Sequence, residues 1–179
     1  YNGANTLQDC LDSIKQQTYQ NKELIIIDGG STDATIDLLN EYDAQISYWI
    51  SEPDDGIYNA WNKGLAKTNG EWVCFLGADD YLWDSHVLDN VAQSLIKLPK
   101  DIRVVYGQVM IVNNNRENLH VIGEPWNKVK TRFRQIMSIP HPGAMHRNSL
   151  FQELGQYDEK FCIAGDYELL LRELKTKDA

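Results

Sequence analysis

Four aspartates crowd into two short glycine-containing segments, SEPDDGIYNAWNKGL at residues 51–65 and FLGADDYL at 75–82. Asp54, Asp55, Asp79 and Asp80 repel one another unless something positive binds them. Adjacent carboxylates at the tip of a buried strand are natural ligands for Mg²⁺ or Mn²⁺, hard cations that take oxygen donors and keep positions open for substrate phosphates. Without a metal the same residues are turn formers: the DD pair can cap the following YLWD segment, and Asp55–Gly56 is an ordinary turn dipeptide. Asp28, in ELIIIDGGSTD, poses the same choice. Two glycines after it allow close backbone approach to a flat ligand, and its carboxylate can accept a hydrogen bond from a ribose hydroxyl or a nucleobase N–H. Asp166, ahead of YELLL, is either a helix cap or a proton acceptor. His141, in the proline-bracketed IPHPGAM, is either a plain loop histidine or a residue that borders a ligand. His86, His120 and His146 carry no metal-ligand spacing, and no GxxxxGK[ST] phosphate loop occurs.

The elements that must position these residues are legible from periodicity. Leu7, Cys10, Leu11 and Ile14 predict a first helix capped by Asn5 or Thr6. ELIIID predicts a strand buried on both faces, with Asp28 at its C-terminal end. A helix over STDATIDLLNEY with Ser31 or Thr32 as cap follows, then a strand at ISYWI. After the acidic loop, Ile57, Ala60, Trp61, Gly64 and Leu65 predict a helix, and EWVCFL a buried strand that delivers Asp79 and Asp80. Val87, Leu88, Val91, Leu95 and Leu98 form another helical stripe. RVVYGQVMIV and HVIG flank NNNRE as a hairpin, so the tail of the sheet turns antiparallel. A basic amphipathic helix near 126–138, the loop IPHPGAM, a short helix at RNSLFQEL and a last helix from Tyr167 complete the chain. The alternation predicts an α/β, three-layer, Rossmann-like domain with a mostly parallel mixed sheet. In such sheets ligands bind beyond the carboxyl ends of the strands, where Asp28, the SEPDDG loop and Asp79/Asp80 all fall.

At 179 residues the chain is the size of one domain, and its net charge of −9 excludes a general nucleic-acid binder, which needs a basic stripe. The one basic cluster, Lys128, Lys130, Arg132 and Arg134, is either a solvated helix face or a surface for a membrane or phosphate. Cys10, Cys74 and Cys162 sit singly among apolar residues and are expected as reduced core thiols of a cytoplasmic protein. No apolar run has the length of a membrane-spanning helix. The opening inside a loop and the close on KTKDA suggest truncation at both ends.

Five segments in order, YNGANTL, ELIIIDGGSTDAT, SEPDDGIYNAWNKGL, GEWVCFLGADD and AGDYELLLR, resemble the family 2 glycosyltransferases of the GT-A fold. The resemblance covers nearly the whole chain. It implies a nucleotide-sugar-binding half at 1–82 and an acceptor-side half at 83–179 of a single domain. It implies that Tyr1, Asn2 and Asp28 hold the uracil and ribose of a UDP-sugar. Asp55 and the helix start that follows, with Asn62 and Lys63, would close on the same nucleotide. Asp79 and Asp80 match the DXD-type motif, holding Mn²⁺ or Mg²⁺ on the pyrophosphate and contacting ribose or sugar. Asp166 matches the general base of inverting members, and His141 falls on the acceptor side. The implied partners are a nucleotide-sugar donor and a saccharide or lipid-linked acceptor for cell-surface polysaccharide, with peripheral contact at the inner membrane face. Two positions depart from the family pattern: Gly77 stands where many relatives have an acid, and Trp61 where many have arginine. Two other classes share parts of this pattern. A sugar nucleotidyltransferase would carry a GxGxRL-like loop whose arginine YNGANTL lacks, and a degenerate binding module would have lost acids that are present here.

Overall fold

The structure is a computed structural model and describes residues 1–177. The continuation expected after KTKDA lies outside the described residues. Helix α1 (Ala4–Lys15) buries Leu7, Cys10 and Leu11, and helix α2 (Thr35–Glu41) buries Leu39. With Tyr42 these side chains pack on Ile26 and Trp49 from strands β1 (Ile25–Asp28) and β2 (Tyr48–Ser51). The two strands are parallel and pair Asp28 with Ser51. Helix α3 (Ile57–Leu65) lies against β1, with Gly64 close to Ile27. Strands thus stand between helical layers, as the run IIID requires of a strand shielded on both faces.

The caps differ from the expected ones. Asn5 and Thr6 lie inside α1, which starts from Gly3, because the loop after β1 supplies the acceptors: Gly3 N–H donates to Thr35 Oγ1 (3.0 Å) and Ala4 N–H to Asp33 Oδ2 (3.1 Å). Ser31 and Thr32 do not cap α2; Asp33 accepts the Thr35 N–H (3.0 Å) instead. Residues after β1 therefore cap the first helix, and Asp33 serves the starts of both α1 and α2.

The C-terminal half contains a strand that the sequence reading treats as loop. Strand β3 (Trp72–Cys74) is followed by α4 (Val87–Leu95), β4 (Val104–Tyr106), the hairpin β5 (Val109–Val112) and β6 (Asn118–Ile122), and α5 (Trp126–Phe133). Strand β7 (Ala144–Arg147) inserts between β3 and β4, antiparallel to both. AMHR has no apolar alternation: its last two residues are a buried histidine and a buried arginine, and the arginine is compensated by partners distant in sequence. Arg147 pairs with Glu71, donates to the Ile102 carbonyl (3.2 Å) and lies over the Trp72 ring. RVVYGQVMIV also divides: it breaks at Gly107, whose carbonyl would lie 2.7 Å from a Cβ on Gly123, so the chain crosses itself there. Helices α6 (Asn148–Leu154) and α7 (Gly165–Lys177) close the second half. Its core joins Tyr58, Leu65, Val73, Phe75, Leu150, Phe151, Tyr157 and Leu169.

Cys10 is buried as expected, but Cys74 and Cys162 are exposed. Strand alternation explains Cys74, since its neighbours Val73 and Phe75 take the inward positions. The exposed Lys128, Lys130 and Arg132 flank buried Val129 and Phe133, so α5 is amphipathic as predicted. Among the described residues no helix is long and apolar enough to cross a membrane.

Two stability predictions follow from this packing. Leu169 is fully buried at the meeting of α3, α6 and α7, and Leu169→Ala is expected to lower the unfolding free energy by ~2–5 kcal/mol in urea denaturation. His146 is also fully buried, and among the described residues neither ring nitrogen has a partner in good hydrogen-bond geometry. Burial, and then the neighbouring His141, push its imidazole down to about 3. The unfolded chain takes up that proton near pH ~6.5, so acid favours unfolding and stability falls as the pH drops from there toward the folded value. His146→Leu should flatten this loss in urea midpoints measured between about pH 7 and 4.5.

Candidate active site

Loops at the ends of β1, β2 and β3 come together through contacts that only glycine allows. A Cβ on Gly29 would lie 2.6 Å from Asp54 Oδ2, and one on Gly30 (φ +78°) 3.3 Å from the Pro53 nitrogen, so the IDGGS loop is pressed against the SEPDDG loop. A Cβ on Gly3 would lie 2.9 Å from the Ala78 Cβ, which sets the YNG segment beside the GADD loop.

Within this convergence Asp28 is buried, and its carboxylate accepts hydrogen bonds from the Ser31 N–H (2.8 Å), the Ser31 hydroxyl and the Ser51 hydroxyl (2.6 Å). Burial opposes ionisation, but these donors outweigh it and hold the Asp28 carboxyl below its usual range. Asn2 is tied to the same loop: its N–H donates to Ser31 Oγ (2.6 Å) and its Oδ1 accepts the Thr32 N–H (2.9 Å). Tyr1 is exposed beside it. The sequence marked Ser31 only as a helix cap, and Ser51 needed the parallel register to be recognised.

Asp79 and Asp80 fold back over Gly77. The Gly77 N–H donates to Asp80 Oδ2 (2.8 Å), and a Cβ on Gly77 would lie 2.6 Å from Asp79 Oδ1. That proximity gives a physical meaning to glycine at this position: a side chain there must displace Asp79. Burial, and the charge of Asp79 beyond it, raise the Asp80 carboxyl above its ordinary value against the favourable Gly77 N–H. Cys10 of α1 backs the pair, its thiol pushed up to about 11 by burial and by the two aspartates. Among the described residues no three His, Cys, Asp or Glu side chains converge to cage a cation. Two adjacent carboxylates nevertheless suit a hard divalent ion that draws its remaining ligands from water and phosphate, and a cation would offset the burial of Asp80.

Asp55 is exposed at the tip of the SEPDDG loop, where Asp54 accepts the Gly56 N–H (2.9 Å) and Gly56 takes φ +113° to start α3. Lys63 pairs with Glu52 (2.8 Å) and donates to the Pro53 carbonyl (3.3 Å), so it braces this loop from behind. Asn62 turns the other way. It donates to the Tyr157 carbonyl (2.9 Å) and to Glu159 (2.8 Å) and accepts the Tyr157 N–H (3.0 Å), which commits its amide to the segment ahead of α7.

Asp166 lies in the first turn of α7, one residue inside the helix start rather than at its cap. Its Oδ1 accepts a hydrogen bond from the Tyr58 hydroxyl at 3.2 Å. His141 comes to the same region, stacked flat on Trp61 (4.6 Å, 8°) with Nε2 3.4 Å from the Tyr157 hydroxyl. Burial lowers its imidazole, opposed by the charge of Asp166. Trp61 thus occupies an aromatic wall with Phe75 and Tyr157 instead of presenting a cation. A separate cavity of about 1080 Å³, lined by Tyr106, Trp126, Phe133, Ile139 and Leu170 among others, contains none of these residues.

The model of glycosyl transferase family 2 matches residues 1–155. A PGL/p-HBAD biosynthesis glycosyltransferase of Mycobacterium bovis is 33% identical over 175 residues, covering 96% of this chain and 65% of the relative. The chain therefore spans just under two thirds of that relative's length. Among solved structures, the Staphylococcus aureus TarS 1–349 fragment in complex with UDP-GlcNAc superposes with a TM-score of 0.67 at 16% identity, covering 97% of this chain and 50% of that one. The mannosyltransferase PcManGT of Pyrobaculum calidifontis, in complex with GDP-Man and Mn²⁺, gives 0.71 at 18% identity, covering 97% and 49%. These neighbours share the GT-A fold that the layering and strand-end loops describe. With a family match over most of its length and a relative of this identity, the chain belongs to glycosyl transferase family 2.

Proposed function

We propose that this chain is an inverting transferase that moves a sugar from a UDP-sugar to a saccharide or lipid-linked acceptor in cell-surface polysaccharide synthesis. The observation that carries this reading is the convergence of Asp28, the Asp55 loop and the Asp79/Asp80 loop at strand ends, with Asp166 hydrogen-bonded to the helix that starts from the Asp55 loop. Residues 1–82 supply the donor side and residues 83–179 the acceptor side. Asp28, ionised and oriented by Ser31 and Ser51, receives the nucleoside, with Tyr1 and Asn2 beside it. Asp55 closes on the same nucleotide, with Asn62 and Lys63 supporting its loop and helix. Mn²⁺ or Mg²⁺ held by Asp79 and Asp80 would stabilise charge developing on the diphosphate. Asp166 accepts the proton of the acceptor hydroxyl as that oxygen attacks the anomeric carbon from the face opposite the diphosphate, which inverts the centre. His141, on the wall shared with Trp61, borders the acceptor.

UDP as the nucleotide is supported by the TarS complexes with UDP and UDP-GlcNAc, and a divalent ion by the Mn²⁺ in the PcManGT complex. The glycoconjugate acceptor is supported by the name of the mycobacterial relative. Exposed Lys128 and Lys130 on α5 support peripheral contact at the inner membrane face.

Calorimetric titration with UDP, GDP and TDP, in Mn²⁺ and then in chelator, tests the donor side. Metal-dependent binding selective for UDP is expected; selectivity for GDP replaces the donor class, and no binding to any overturns the donor assignment. Asp80→Ala should weaken UDP by about ten-fold or more, and added Mn²⁺ should not restore it. Asp166→Asn should leave UDP affinity unchanged while lowering transfer by ~10²–10⁴-fold, since only proton removal is lost.

A further inference from the structure

Tyr58 makes two bonds from one oxygen to the segment that carries Asp166. Its hydroxyl accepts the Gly165 N–H at 2.7 Å and donates to Asp166 Oδ1 at 3.2 Å. The phenol cannot drift, because its ring is buried, stacked on Tyr157 (5.5 Å) and edge-on to Trp61 (5.4 Å). Gly165 is what lets the ring come so close: a Cβ there would lie 2.8–3.0 Å from three Tyr58 ring atoms. Ala164, at φ +65°, turns the chain into this contact. The upstream end of the same loop is held by α3 as well, through Asn59 (2.9 Å) and Asn62 (2.8 Å) on the Glu159 carboxylate. Burial raises the Tyr58 phenol above its ordinary range, and the Asp166 charge and its side-chain hydrogen bond add to this against the backbone N–H groups, so it stays an O–H donor.

We propose that Tyr58 is a positioning residue for Asp166: one phenol, set three residues after Asp55 on α3, fixes the carboxylate of the acceptor side relative to the loop of the donor side. This rests on the reading of Asp166 as the base. Committing Oδ1 to the phenol fixes the carboxylate plane and leaves Oδ2 as the oxygen to face an incoming hydroxyl. The cost of losing that constraint is one of orientation, where misplacement by about 1 Å can lower a rate ~10²-fold.

Tyr58→Phe keeps the ring and removes both bonds. Hydrogen exchange of the 159–166 amides is expected to rise by about ten-fold in this variant, with exchange in β7 and α6 unchanged. Sugar release from UDP-GlcNAc with water as acceptor should fall in kcat by about ten- to hundred-fold, while KM for the donor stays within about two-fold. Placed on Asp166→Asn, Tyr58→Phe should slow the reaction no further, because a residue acting only through Asp166 has nothing left to position. Unchanged exchange at 159–166 overturns the clasp whether or not turnover is seen. A double variant slower than Asp166→Asn by the full Tyr58→Phe factor overturns positioning through Asp166. If Asp166→Asn is inactive and Tyr58→Phe is not slowed, positioning fails and the base assignment stands; if Asp166→Asn keeps its rate, the base assignment fails and the positioning role falls with it.

Discussion

A carboxylate buried at the end of a strand must be given hydrogen-bond donors or lose its charge, and Asp28 meets that condition with Ser31 and Ser51. Much of the N-terminal half depends on how it does so. Taking Ser51 as donor requires the parallel register of β1 and β2, and taking the Ser31 N–H requires the tight GGS turn. That turn brings Gly29 and Gly30 against the acidic loop and gives Asn2 its partners. A single buried charge thereby ties together segments from the first residues to the mid-fifties.

Helix α3 carries the second constraint. One face lies on β1, another holds the aromatic wall, and its amide and phenol groups reach the segment ahead of α7. The two halves of the domain are therefore joined by directional bonds as well as by apolar packing. Directional bonds set distance and angle, which burial alone does not. The acidic loop and the late helix can then keep a defined relation although they are separated by about a hundred residues in sequence.

Elements with local determinants were legible in the sequence. Strand IIID, the helix from Ile57 and the hairpin around NNNRE are short periodic segments bounded by turn residues, and all three form. Their strand ends bring Asp28, the Asp55 loop and the Asp79/Asp80 loop together as the α/β arrangement requires. Features with nonlocal determinants were less legible. β7 has buried His146 and Arg147 where a strand would ordinarily show apolar residues, and Arg147 is compensated by Glu71 and Ile102 from elsewhere in the chain. Asn62 looked like a ligand contact by motif, yet its amide is occupied by Tyr157 and Glu159, a pairing visible only once α3 is docked. Tyr58 carried no signal in the sequence, since its hydroxyl matters only for where it ends.

The fit of Gly165 under the Tyr58 ring also limits how the chain can change over time. Any side chain at 165 collides with a ring that is itself immobilised by Trp61 and Tyr157. A smaller residue at 58 would make room, but only by giving up the hydroxyl. Neither position has an easy first step, so the pair can drift only through a costly intermediate.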